Sequence, residues 1–118
     1  MNEKETGSFY TPASLIDFMV EYIKNRITPK TILEPSAGDG RFVPTLRVFG
    51  AQVSLAEFVE DKAKYLMTTF GDECKVHCCD FIQYSLDNNE TYDLIIGNPP
   101  YISKKMYQRI SVYRPKKY

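Results

Sequence analysis

The stretch Thr31-Ile32-Leu33-Glu34-Pro35-Ser36-Ala37-Gly38-Asp39-Gly40 carries the strongest indication of the fold. Its first three residues form a short apolar run that is typical of a buried strand. Glu34 closes that strand, and the turn-rich residues that follow lead into a helix predicted over residues 41–48. Pro44 fits this helix only in its first turn, where a missing N–H does no harm. The stretch therefore predicts a strand, a ligand-accessible loop and a helix in succession.

A further helix is predicted upstream of this unit. Thr11-Pro12 is typical of a helix start, with Thr11 as the N-cap and Pro12 at the first helical position. Apolar residues then recur at three- and four-residue spacing and predict the buried face of an amphipathic helix: Leu15, Phe18, Met19, Tyr22, Ile23 and Ile27.

The alternation of strand and helix continues downstream. Further strands are predicted over residues 52–56, 74–79 and 92–96, with a helix over residues 61–70 between the first two. Strands that alternate with helices of this size predict an α/β fold with about four parallel strands. Such sheets bind ligands at the carboxyl ends of their strands, where four polar residues fall: Glu34, Glu57, Asp80 and Asn98.

Length and composition narrow the class of protein. The chain has 118 residues, of which 43% are hydrophobic, and this predicts one globular domain, since domains usually span about 100–150 residues. No apolar run approaches the roughly 18 residues of a membrane span, and the charged residues 1–5 predict no secretory signal. Clustered cysteines at 74, 78 and 79 form a poor disulfide framework, so we expect a reducing, cytoplasmic setting without membrane association.

The residue types of the cysteine cluster suggest a metal site, but their positions along a predicted strand argue against one. Cys74, His77, Cys78 and Cys79 can be drawn as zinc ligands. Adjacent strand residues point to opposite faces, however, so Cys78 and Cys79 do not easily reach one metal ion. We therefore expect no metal and interpret the cysteines as small buried apolar residues.

The formal net charge of zero hides an asymmetry. Residues 1–103 carry 9 basic and 15 acidic side chains, whereas residues 104–118 carry 6 basic side chains and no acid. A basic segment can contact a phosphate backbone, although composition alone fits a solvated chain end equally well.

Residues 34–40 have the features of a ligand-binding turn. A glycine-rich turn lets a ligand approach the backbone closely, and the helix N-terminus beyond it favours an anionic group. Val43 replaces the third glycine of the dinucleotide fingerprint, and no Gly-Lys-Ser/Thr follows. A nucleoside that carries a small zwitterion is therefore favoured over a di- or triphosphate, although a purely structural turn can look the same.

Two acidic positions extend this prediction. Glu57 closes the second strand, where a carboxylate can accept hydrogen bonds from both ribose hydroxyls. Asp80-Phe81 closes the third strand, so that the carboxylate can accept from an adenine amino group while the ring packs on the base. Each acid taken alone also fits a solvated residue at a strand end.

The tetrapeptide Asn98-Pro99-Pro100-Tyr101 is the most specific signal in the sequence. Two prolines in succession make a rigid turn without N–H donors, so their carbonyls stay free to accept hydrogen bonds. An asparagine oxygen and a proline carbonyl can together hold an amino group, and Tyr101 offers a stacking face. The motif predicts a site for a planar amine such as adenine taken out of its helix.

Together these motifs resemble S-adenosylmethionine-dependent N6-adenine DNA methyltransferases. Residues 34–40, followed about sixty residues later by the tetrapeptide, have that family's order, and residues 7–12 (Gly-Ser-Phe-Tyr-Thr-Pro) resemble its upstream motif. The arrangement is similar to the gamma class of restriction–modification enzymes. The tetrapeptide is shared with methyltransferases acting on protein glutamine or ribosomal RNA guanine, and the Phe-Tyr-Thr-Pro element favours DNA.

The resemblance implies a Rossmann-like methyltransferase fold, S-adenosylmethionine as cofactor, DNA as partner and a role for each motif residue. The residues implied to surround the cofactor are Phe9, Tyr10, Thr11, Pro12, Glu34, Ser36, Gly38, Gly40, Glu57, Asp80 and Phe81. The residues implied to act on the flipped adenine are Asn98, Pro99, Pro100 and Tyr101.

The resemblance also implies that something is missing. The chain stops 17 residues after Tyr101, before the remaining strands and the target-recognition region of that family. We expect residues 1–29 to hold the upstream motif and helix, 30–101 the cofactor-binding and catalytic half, and 102–118 a basic segment. The chain is then a fragment, a disrupted reading frame or half of a split enzyme completed by a further polypeptide. Alternatives are a non-catalytic relic or cofactor-binding module, and a fragment of a protein-glutamine or ribosomal RNA methyltransferase.

Overall fold

The molecule is built around one open sheet with helices packed against it. The computed structural model describes residues 11–80 and 90–98. In chain order the elements are α1 (Ala13–Lys24), β1 (Thr31–Glu34), α2 (Val43–Leu46), a 3₁₀ turn (Arg47–Phe49), β2 (Gln52–Glu57), α3 (Glu60–Phe70), β3 (Cys74–Cys78) and β4 (Leu94–Ile95).

All strand pairings are parallel, which confirms the predicted α/β class. The strand order is β3-β2-β1-β4, so the first strand lies inside the sheet and the chain crosses back over it to reach β4. Leu33 of β1 pairs with Ser54 on one side and with Ile95 on the other. Because the strands run in one direction, their carboxyl ends meet at one edge, which is where parallel sheets bind ligands.

The core lies on the central strands. Ile32, Leu33 and Leu55 are almost completely buried, as expected for strands covered on both faces. Helices contribute Ile16 and Leu66 to the same buried region. Each such side chain contributes roughly 1.5–3 kcal/mol by leaving water. Among the residues that the structure describes, no helix is long and apolar enough to cross a membrane.

A reciprocal set of hydrogen bonds fixes β4 against β1 at the amino ends of these strands. One carboxylate oxygen of Asp93 accepts from the backbone N–H groups of Lys30 and Thr31, at 2.8 and 3.3 Å. The Asp93 N–H in turn donates to the Thr31 hydroxyl at 3.0 Å. This arrangement sets the register of a strand that is only two residues long.

The start of α1 differs from the prediction by one residue. Pro12 keeps an extended conformation with ψ 143°, so Pro12 rather than Thr11 is the N-cap, and no side chain caps the helix. The Pro12 carbonyl instead accepts from the N–H groups of Leu15 and Ile16, at 3.0 and 3.1 Å. The Thr11 hydroxyl is thereby left out of helix capping.

The predicted buried face of α1 is also wrong in part. The helix buries Ile16 and Val20, while Phe18 at 67% exposure and the neighbouring Leu15 and Tyr22 face outward. Apolar residues cover more than half of this helix's circumference, so periodicity could not show which part meets the sheet. Packing against α2 makes that choice.

The helix after the glycine-rich loop is shorter than predicted. It consists of the four residues of α2, with Pro44 in the first turn as expected, and continues as the 3₁₀ turn. Gly50 ends it with φ 58°, a left-handed conformation that suits glycine.

Candidate functional site

The glycine-rich loop folds over the carboxyl end of β2. The Ala37 N–H donates to the Ala56 carbonyl at 3.0 Å, and the loop turns at Gly38 (φ 60°) and Gly40 (φ 80°). Both glycines adopt a conformation that L side chains rarely take. A Cβ at Gly40 would also lie 2.8 Å from the Leu66 side chain, so the loop is pressed against α3.

The Glu57 carboxylate holds this loop in place. One oxygen accepts from the Gly38 N–H and the other from the Val59 N–H, each at 2.8 Å. Glu57 is only 6% exposed, and two backbone donors compensate the burial of its charge. Each carboxylate oxygen still has a further lone pair, so Glu57 can accept ligand hydroxyls while it supports the loop.

Glu34 is the most unusual group at this edge. It is 1% exposed, and neither carboxylate oxygen has a hydrogen-bond partner among the described residues. Burial, followed by the negative charge of Glu57, raises the pKa of Glu34 well above its usual range. The backbone N–H of Ser36 faces the carboxylate outside ordinary hydrogen-bond geometry and lowers the pKa to a smaller extent. A carboxyl group in such a place ionises readily only beside a cation, so Glu34 is suited to a positively charged ligand.

Thr11 and Arg41 meet above the loop. The Arg41 guanidinium forms a fork with the Asp39 carboxylate, and its Nη1 donates to the Thr11 carbonyl at 3.3 Å. Thr11 is 5% exposed, and its hydroxyl has no hydrogen-bond partner among the described residues. The structure thus brings Thr11 to the loop through Arg41, a residue that the sequence did not single out.

Gly97 brings the first residue of the predicted catalytic tetrapeptide close to β1. The Ile96 N–H donates to the Leu33 carbonyl at 3.0 Å, extending the β4 pairing beyond its last strand residue. A Cβ on Gly97 would collide with the Glu34 carboxylate, lying 3.1 Å from its Cδ. A glycine directly before Asn98 is the sequence signal for this close approach. Asn98 is half-buried and follows immediately.

The remaining predicted site residues divide into two groups. Ser36 and Asp80 are half-buried beyond the ends of β1 and β3, and Pro12 is exposed at the start of α1. The others lie outside the described residues: Phe9, Tyr10, Phe81, Pro99, Pro100 and Tyr101. The functional roles of both groups stay predictions.

The cysteines of β3 give no sign of a metal centre. Cys74 is buried as predicted, but the prediction of buried cysteines is wrong for Cys78, which is exposed at the end of β3, and holds only in part for the half-buried Cys79. Within residues 11–80 and 90–98, no three His, Cys, Asp or Glu side chains are grouped to hold a metal ion. Burial raises the pKa of the Cys74 thiol, and that of the Cys79 thiol as well, so neither favours the reactive thiolate form.

Comparison with known proteins identifies relatives of the chain. Residues 49–118 match the family of Eco57I restriction-modification methylases. The type II methyltransferase M.CvrRI of Paramecium bursaria Chlorella virus XZ-6E is 34% identical over 107 residues, which cover 83% of this chain and 25% of that protein. The chain therefore spans about a quarter of the length of this curated relative.

Solved structures share the fold. PH1948 from Pyrococcus horikoshii, a candidate RNA methyltransferase, aligns with a TM-score of 0.64 at 20% identity over 85% of this chain and 52% of its own. The SAH-bound methyltransferase PaMTH1 of Podospora anserina aligns with a TM-score of 0.57 at 20% identity, over 74% of this chain and 39% of its own. The fold is thus that of Rossmann-like methyltransferases.

Proposed function

Since the chain belongs to the Eco57I restriction-modification methylase family, we propose that it is the cofactor-binding and catalytic portion of an S-adenosylmethionine-dependent DNA methyltransferase. In the proposed reaction, the N6 amino nitrogen of an adenine flipped out of duplex DNA forms a bond to the methyl carbon as the bond from that carbon to the sulfonium breaks. S-adenosylhomocysteine is the leaving group, and one N6 proton is released to solvent. A further polypeptide segment or subunit would supply the remaining strands and target recognition, since the chain covers 25% of M.CvrRI.

One observation carries the proposal. Three of the four buried polar residues that the structure describes, Thr11, Glu34 and Glu57, lie at the same end of the molecule as the glycine-rich loop. The Thr11 hydroxyl and both Glu34 oxygens have no hydrogen-bond partner among the described residues. Buried polar groups in native proteins are nearly always paired, so these atoms support a ligand that pairs them.

The chemistry of this set fits S-adenosylmethionine. The cofactor carries an ammonium and a sulfonium, which suit the carboxyl group of Glu34, and ribose hydroxyls, which suit the acceptors of Glu57. Its carboxylate suits the hydroxyl donor of Thr11. To Asp80, which is half-buried beyond the end of β3, the proposal assigns the hydrogen bond from the adenine amino group.

The proposed mechanism rests on positioning and charge. When bound, the cofactor supplies a methyl group already activated by the sulfonium. The amino nitrogen of adenine is a poor nucleophile, because its lone pair is delocalised into the ring. Acceptors at Asn98 and the Pro99 carbonyl would hold its two hydrogens and favour a pyramidal nitrogen in the transition state. No covalent enzyme intermediate is required.

Two features of the sequence support the partner and the setting. The six basic residues of the segment 104–118 offer charge for a phosphate backbone. The three cysteines form no disulfide: Cys74, Cys78 and Cys79. Because free thiols fit a reducing compartment, we propose that the protein acts in the cytoplasm.

The test is a calorimetric titration of the 118-residue chain with S-adenosylmethionine. We expect saturable binding that Glu57→Ala abolishes, because this change removes both the ribose acceptors and the support of Gly38. Glu60→Ala, which removes an exposed acid from the start of α3, is the matched control and should bind like wild type. A folded wild-type chain that fails to bind would contradict the proposal and favour a relic.

A further inference from the structure

Arg41 links two parts of the site that are 30 residues apart in sequence. Its Nε and Nη2 form a fork with Asp39, with contacts of 2.9–3.3 Å, and the Asp39 carboxylate also accepts the Arg41 backbone N–H at 3.1 Å. This pairing fixes the plane of the guanidinium. Its third nitrogen, Nη1, then donates to the Thr11 carbonyl.

The Asp39–Arg41 ion pair contributes little to the stability of the fold. Both side chains are more than a third exposed, and exposed ion pairs contribute little to stability. Its distinctive feature is the direction it gives to Nη1. The Thr11 hydroxyl takes no part in helix capping, and within the described part of the chain the hydrogen bond from Arg41 to the Thr11 carbonyl connects Thr11 to the glycine-rich loop.

We infer that Arg41 is a positioning residue for the amino-acid half of the cofactor: it fixes Thr11 relative to the glycine-rich loop, so that the Thr11 hydroxyl meets the carboxylate of the ligand. The inference rests on the proposed function, since it takes S-adenosylmethionine as the ligand. Adenosine recognition is separate, because it depends on Glu57 and on Asp80 beyond β3.

Two ligands separate the halves of the site. S-adenosylhomocysteine carries the amino-acid group, whereas 5′-methylthioadenosine has the same adenosine and thioether without it. Both are titrated into the 118-residue chain by calorimetry. In Arg41→Ala we expect the affinity for S-adenosylhomocysteine to fall about tenfold, because this is the effect of losing one hydrogen bond to a charged group. The affinity for 5′-methylthioadenosine should stay unchanged.

Three variants test whether Arg41 acts through Thr11. Arg41→Lys keeps the charge but cannot form the fork, so it should lose affinity as Arg41→Ala does. Thr11→Val removes the hydroxyl at similar volume, and adding Arg41→Ala to it should cause no further loss. Arg47→Ala is the matched control, because Arg47 forms a similar fork with Glu73 at the amino end of β3. This variant should leave the affinities for both ligands unchanged.

Each other outcome overturns the inference. An equal loss of affinity for both ligands in Arg41→Ala would show that Arg41 acts on the general stability of the loop. Wild-type affinity in Arg41→Lys would show that its positive charge alone is responsible. If Arg41→Ala lowered the affinity for S-adenosylhomocysteine as much in Thr11→Val as in the wild type, Arg41 would act without Thr11. A folded wild-type chain that binds neither ligand would overturn the proposed function along with the inference, whereas binding with no effect of Arg41→Ala would overturn the inference alone.

Discussion

The Glu57 side chain accepts a hydrogen bond from the Gly38 backbone N–H at 2.8 Å, across 19 residues of sequence. The end of β2 thereby holds the turn that follows β1. The second oxygen of the same carboxylate accepts from Val59, at the start of α3. A residue predicted only as a ligand acceptor is therefore also a structural part of the loop.

This double role predicts a stability effect without any ligand. Glu57→Gln keeps one acceptor oxygen and replaces the other with an NH2 group. That NH2 group is a donor, so it cannot accept the hydrogen bond of the backbone N–H that it faces. We expect the free energy of unfolding to fall by about 1–3 kcal/mol, because one buried donor loses its partner. Urea denaturation measures the loss. Glu60→Gln, on the exposed surface of α3, should change it by less than about 0.5 kcal/mol.

A second prediction compares two glycines of positive φ. Gly40→Ala and Gly50→Ala both force alanine into a left-handed conformation, at a cost of about 1–2 kcal/mol. The Cβ at Gly50 meets nothing within 4 Å, whereas at Gly40 it collides with Phe70 and Leu66. Gly40→Ala should therefore cost about 1–3 kcal/mol more, as overpacking does. Thermal unfolding of both variants measures the difference, and equal losses would contradict the close packing of the loop on α3.

A third prediction concerns pH. Burial, and then the charge of Glu57, raises the folded-state pKa of Glu34 well above 4.5, its ordinary value. Between the ordinary and the raised pKa the folded chain holds a proton that the unfolded chain has lost, so the free energy of unfolding falls as pH rises. Glu34→Gln should remove this decline and be the more stable protein at neutral pH, as urea denaturation from pH 4 to pH 8 would show.

Glu73 provides the control of opposite sign for the pH series. Its hydrogen bonds to Arg47 lower the pKa of Glu73, so its contribution to stability is present above the ordinary pKa and is lost as pH falls. Glu73→Gln should therefore flatten the acid side of the stability profile, and at neutral pH it should lower the free energy of unfolding by a small, pH-independent amount. An identical profile in Glu34→Gln and wild type would contradict the buried, unpaired state of Glu34.

A fourth prediction tests the reaction in a complete enzyme, formed by co-expressing or fusing the chain with the polypeptide that completes it. Asn98→Ala should lower methyl transfer to adenine by about 100-fold or more, as losing one preorganised transition-state contact does. Cofactor affinity should stay nearly unchanged. The assay follows labelled methyl groups into DNA, and Asn25→Ala at the end of α1 is the control. Unchanged turnover in Asn98→Ala would contradict its assignment.

Much of this protein was determined by local sequence. Short apolar runs that end in acids specify strands, and the stretch 31–40 specifies a strand and a glycine-rich turn, because both depend on the conformational preferences of neighbouring residues. Glu34, Glu57 and Asn98 could be assigned to one sheet edge, since parallel strands align their carboxyl ends. The four parallel strands confirm that reasoning.

Tertiary structure decided what local patterns leave open. Helix α1 is apolar around much of its circumference, and only packing selected Ile16 and Val20 as its buried residues. The Arg41 link to Thr11 and the contact of Gly97 with Glu34 join residues 30 and 63 positions apart, where no periodicity applies. That neither Glu34 oxygen has a hydrogen-bond partner among the described residues likewise depends on the neighbours that the fold brings to it. The sequence thus determined the elements and the edge, and packing determined which polar groups at that edge are paired within the described part of the chain.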